Sequence, residues 1–153
     1  MTGRASDHLY TLHRNPFALA PVIQNFYLEW APIEKDLLLS YLILPLVTYP
    51  PMQEYLHHVG RNSSLRTMTS DSSRLVGLPL RMDEYKPITN TALLILRADE
   101  SLKIAEDLSV VAENNRQAGN ADKDMLRYAM KLAMVFRNES VVTIYRMLGL
   151  KSL

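Results

Sequence analysis

By residue type, the candidates for chemistry in this 153-residue chain are the adjacent pair His57 and His58 and two carboxylate pairs, Asp83 with Glu84 and Glu106 with Asp107. Neighbours on a helix or strand point in different directions. The two histidines therefore cannot both face one metal ion, and neither carboxylate pair makes an acid–base dyad. No HExxH spacing is present, and Gly3, Gly60, Gly77, Gly119 and Gly149 are too isolated for a phosphate loop or a GxSxG elbow. With no cysteine, thiolate nucleophiles, disulfides and Cys-based metal sites are excluded. The expectation is a protein that is not an enzyme, with no catalytic, cofactor-binding or metal residue.

Charge offers a second kind of chemistry. Seventeen Lys plus Arg against sixteen Asp plus Glu leave a formal net charge of +1, so no global field attracts nucleic acid or an acidic membrane. Arg61, Arg66, Arg74 and Arg81 are the candidates for a local basic face that touches nucleic acid. Across 70–111 the predicted order of helix, turn, helix and hairpin is that of a winged helix, with "KPITNTALLILRA" as recognition helix. Only Lys86, Asn90 and Arg97 could read DNA from its outer face, and Glu106 and Asp107 on the wing would repel phosphate. A winged-helix-like middle part used for protein contacts fits better, with a DNA-binding regulator as the alternative.

The elements that would position these residues are mostly helical. With 48% hydrophobic and 22% charged residues, the length suits a single domain over 1–153. In "NPFALAPVIQNFYLEWA", Asn15 is an N-cap and Pro16 the first helical residue, and Phe17, Leu19, Ala20, Ile23, Phe26, Tyr27 and Trp30 recur at helical spacing as an inward face. Asp36 can cap "DLLLSYLILPLVTY", a core helix kinked or ended near Pro45, with Leu44 buried. "PMQEYLHHVG" reads as a short helix closed by Gly60, and a Ser/Thr-rich stretch with two short helices follows, capped at Ser64 or Ser70. Pro87 marks the start of the next helix. In "LKIAEDLSVV" the apolar period changes to two, the sign of a small β-hairpin. A polar linker at 113–121 precedes "DKDMLRYAMKLAMVFRN", with acids at its N-terminus, and Ser140 caps a last helix ended by Gly149. Residues 1–14 are expected to be flexible. The N-terminal stretch has no apolar signal-peptide core, and the apolar run at 37–47 is too short to span a bilayer, so a cytoplasmic location and no membrane contact are expected. The fold class is a compact, mainly α domain with one β-hairpin.

The order and spacing of "NPFALAPVIQNFYLEW", "LLLSYLILPLVTYPPMQEYL", "SSLRTM", "ITNTALLILRADESLKI" and "AMKLAMVFRNESVVTIYRMLGL" resemble the middle component of bacterial three-component ABC-ATPase conflict systems. The blocks run from about residue 15 to residue 150, and the family's usual positions stand here as Asn15, Pro16, Leu44, Pro45, Leu46, Leu148 and Gly149. The linker at 113–121 departs from that pattern. The resemblance implies a non-enzymatic adaptor between an SMC- or Rad50-like ABC ATPase and a larger effector encoded nearby, in defence against phages or plasmids. Contact with DNA would then be indirect, through the complex, and a homodimer is a further contact to test. No family catalytic residues are implied. Eight methionines and eight tyrosines supply adaptable, amphipathic contact surface. Tyr10, Tyr55, Tyr85 and Tyr145, with Leu148 and Leu150 in the terminal "LG" segment, are the expected partner-binding residues.

Overall fold

A computed structural model describes residues 14–114 and 121–150. Those residues contain seven α-helices, two 3₁₀ turns and one antiparallel hairpin around a common apolar core. Helix α1, Pro16–Glu29, starts where Asn15 Oδ1 accepts from the Phe17 N–H at 2.9 Å and Pro16 follows. Its inner face is buried from Leu19 to Tyr27 and closes with Trp30, but Phe17, expected inside, is 66% exposed.

The interrupted apolar run forms a 3₁₀ turn, Asp36–Leu39, continued by α2, Ser40–Val47. Pro45 neither ends the helix nor stops its burial. Every α2 residue but Tyr41 is buried. Proline inside a helix costs about 3 kcal/mol, whereas each large apolar side chain removed from water returns roughly 2 kcal/mol, so packing decides.

Tyr49 is extended, and α3, Pro50–His57, follows. The helix closes at His58, and Gly60 lies beyond it without the left-handed conformation of a helix-ending glycine. Ser64 and Thr67 form a reciprocal capping box for α4, Leu65–Thr69, and Asp71 caps a 3₁₀ turn, Ser72–Leu75. Helix α5, Leu78–Ala98, is 21 residues long and begins at Gly77 (φ 72°) and Pro79, not at Pro87. Pro87 sits inside it on the exposed side, where the carbonyl it strands can reach water. Strand β1, Leu102–Ile104, pairs with β2, Val110–Ala112, in the register Leu102↔Ala112 and Ile104↔Val110. Asp122 caps α6, Lys123–Phe136, and Ser140 caps α7, Val141–Met147. Helix α1 lies against α5 and α6, and α2 against α5, with Phe26 stacked on Trp30 and edge-on to Phe136.

The hairpin is not a free wing. Its turn is tied down by Lys35 N–H to Asp107 O (2.9 Å) and Leu37 N–H to Leu108 O (3.0 Å), and β2 packs on α1. Across 70–111 the elements are a 3₁₀ turn, one long helix and the hairpin, so the winged-helix likeness expected there is not confirmed.

Gly149 (φ 80°) ends the last helix as expected. An added Cβ meets nothing within 4 Å there or at Gly60, so conformation alone separates the two sites. Gly149→Ala should cost about 1 kcal/mol, lowering Tm by roughly 3 °C, and Gly60→Ala should leave Tm unchanged in thermal melts.

Candidate partner-binding surface

One end of the molecule is organised by a single buried carboxylate. Asp36 accepts at Oδ2 from Trp30 Nε1 (3.1 Å) and the Ile33 N–H (2.8 Å), and at Oδ1 from the Val110 N–H (2.8 Å). Its carbonyl accepts from the Tyr27 hydroxyl at 2.8 Å. Asp36 is therefore not the N-cap expected of it: its side chain folds back to join the end of α1, the following turn and the hairpin. Burial pushes its pKa above the ordinary carboxylate value, although the three N–H donors pull the other way. Burial, reinforced by the Asp36 charge, raises the Tyr27 hydroxyl well above its usual range.

Beside this cluster opens a cleft of about 670 Å³ between two loops. One wall is the end of α1 and the turn after it, with Glu29, Trp30, Ile33, Glu34 and Lys35. The other is the α6–α7 connection, with Arg137, Asn138, Glu139, Val141 and Val142. Trp30 and Val141 form an apolar floor, and Val142 stands on the rim, 57% exposed. Lys35 (φ 65°) and Asn138 (φ 67°), one on each wall, hold left-handed conformations uncommon outside glycine. The size and mixed lining suit a ligand or the side chains of a partner.

The residues expected to bind partners are divided by the fold. Tyr145 and Leu148, both expected among the partner-binding residues, are 5% and 4% exposed and belong to the core. The Tyr145 hydroxyl donates to the Leu38 carbonyl at 2.5 Å, and burial with the nearby Tyr41 pushes its pKa up to about 12. Tyr55, Tyr85 and Leu150 are half-buried at the edge of the core. Tyr55 shares a 2.6 Å hydrogen bond with Thr67 Oγ1 and lies under the Arg74 guanidinium, 4.3 Å from ring centroid to Cζ. Tyr10 lies outside the described residues, as do 1–13 of the expected flexible segment and 115–120 of the linker.

The four arginines do not make one basic face. Arg74 donates to the carbonyls of Thr67 (3.0 Å) and Met68 (3.2 Å). Arg81 donates from Nε to the Pro45 carbonyl (3.1 Å) and from Nη1 to the Val76 carbonyl, and stacks 3.6 Å over Tyr49. Its Nη2 is buried with no partner, and burial lowers its pKa. Arg61 and Arg66 remain exposed. Both inward arginines bind backbone carbonyls brought near by other elements, which residue type alone does not reveal.

The cleft is not legible in the sequence, because Trp30 has the spacing of a core aromatic and Glu34 and Lys35 are ordinary charged residues between two helices. The one available signal was an acid, Asp36, placed between an apolar helix end and an apolar run. Among the described residues no group of three or more His, Asp or Glu could hold a metal, and no helix is long and apolar enough to cross a membrane. One family model, "ABC-three component (ABC-3C) system Middle Component 3", matches residues 4–152. No curated protein and no solved structure matches the chain.

Proposed function

The chain belongs to the family of the ABC-three component (ABC-3C) system Middle Component 3, and from that premise we propose that it is a non-enzymatic adaptor. It connects an ABC-family ATPase with a larger effector encoded nearby, in a complex that acts against phages or plasmids. Family membership over nearly the whole chain carries the reading. Supporting it, apolar side chains are exposed at separate places: Val76 and Leu80 at the start of α5, Leu94 near its end, Val111 on the hairpin and Val142 on α7. Leu80 and Leu94 are about 21 Å apart along the helix axis, room for two distinct contacts.

The test is co-expression with the proteins encoded on either side, purification through this chain and sizing of what accompanies it. The expected result is a stoichiometric complex containing an ABC-family ATPase and the effector. A lone monomer or homodimer would remove the adaptor reading. Binding to duplex DNA at low and high salt would then decide the DNA-regulator alternative.

A further inference from the structure

The cleft between the end of α1 and the α6–α7 connection is asymmetric in charge. Its apolar floor is rimmed by Glu29, Glu34 and Glu139, none of which forms an ion pair among the described residues. Of the two cations there, Lys35 and Arg137, the second donates from Nη2 to the Arg61 carbonyl at 3.2 Å and keeps its charge, so three carboxylates stand against two cations. Val142 is left 57% exposed at the same rim. Two of the four non-glycine residues with positive φ in the described chain, Lys35 and Asn138, shape its walls. Such conformations persist where surrounding structure enforces them, and they concentrate at binding sites. An apolar floor, an unsatisfied apolar side chain at its edge and unpaired acids around it are complementary to a basic, apolar-anchored peptide.

We infer that this cleft receives a short segment of one partner protein, an apolar side chain seated against Trp30 and Val142 with lysine or arginine flanking it to meet Glu29, Glu34 and Glu139. The inference rests on the adaptor reading and adds to it the place and chemistry of one contact. The acids steer the segment into position and Val142 makes the contact that holds it. The surfaces at Leu80 and Leu94 on α5 stay free for the second partner.

The test uses the full chain co-expressed with its neighbours, as the parent, as Val142→Glu, and as the double variant Glu29→Lys with Glu34→Lys. All three positions are exposed, and a lysine in the last turn of α1 suits the helix dipole, so these variants should melt like the parent. Each should lose one copurifying partner, with affinity weakened roughly tenfold or more, and keep the other. Binding by the parent should also fall more steeply with salt than binding by the double variant. If folded variants keep both partners at the parent's affinity and salt dependence, the cleft is not a docking site, although the adaptor reading stands. If they alter only self-association, the occupant is a second copy of the chain and the inference is overturned. If the parent brings down no neighbour, the adaptor reading falls and takes this occupant with it.

Discussion

Leu44→Asp should give a chain with no cooperative melting transition. Leu44 is fully buried in α2, inside a core shared with α1, α5 and α6. Losing the leucine contacts alone costs about 2–5 kcal/mol. A carboxylate left unpaired in an apolar interior adds several more. Together these rival the roughly 5–15 kcal/mol that holds an ordinary domain folded. Near-ultraviolet circular dichroism and thermal melts check it: a variant that melts like the parent would mean that α2 is not buried in solution. Leu44→Met, which nearly conserves volume, should stay folded with a loss below about 1.5 kcal/mol.

The second large effect is expected at Asp36. Asp36→Ala removes the acceptor of three buried or half-buried donors, Trp30 Nε1, the Ile33 N–H and the Val110 N–H. Each donor left without a partner costs about 1–3 kcal/mol, so a loss of about 3 kcal/mol or more in urea unfolding is expected. Asp36→Asn keeps one acceptor oxygen but turns an NH₂ toward the remaining donors, and should recover only part of that loss. The pH dependence carries a definite sign. Because burial raises the Asp36 carboxyl above its unfolded-state value, its contribution is fully present below that value and declines as pH rises through its folded-state value. The stability gap between parent and Asp36→Asn should therefore narrow from acid toward neutral pH. Carboxyl NMR should find Asp36 titrating above the ordinary range. Asp71 and Asp107 should titrate below it, because the serine hydroxyl and N–H of Ser73 and Ser109 hold them ionised. If Asp36 instead titrated with those two, its three N–H bonds would outweigh its desolvation, and the pH dependence stated here would reverse.

The same cluster bears on the proposed contact. Trp30 forms part of the cleft floor and donates to Asp36, so loosening Asp36 should also disturb the wall on which a partner would sit. For that reason Val142 and the exposed acids, and not Asp36, are the positions at which binding can be tested without confusing it with folding.

What the sequence by itself determined is what short-range physics controls. Asn15, Ser64, Asp122 and Ser140 cap helices because a side-chain oxygen satisfies an N–H two or three residues away, wherever the helix later packs. The hairpin at 102–112 follows from a two-residue period on each side of a turn, and the mainly helical class and the family follow from the order of such segments. Only the tertiary structure decided which side chains face outward. A tyrosine or an arginine has the same local preferences at a surface or at a core edge. Tyr145 was buried by a carbonyl 107 residues away, and Arg81 was turned inward by one 36 residues away. Pro87 is inside a helix because the outer side of α5 lets its stranded carbonyl meet water, and Pro45 because the core around α2 outweighs a missing hydrogen bond. The cleft exists in neither of its walls alone: residues 29–35 and 137–142 meet only because α1 and α6 pack side by side, and no pattern within either segment encodes that meeting.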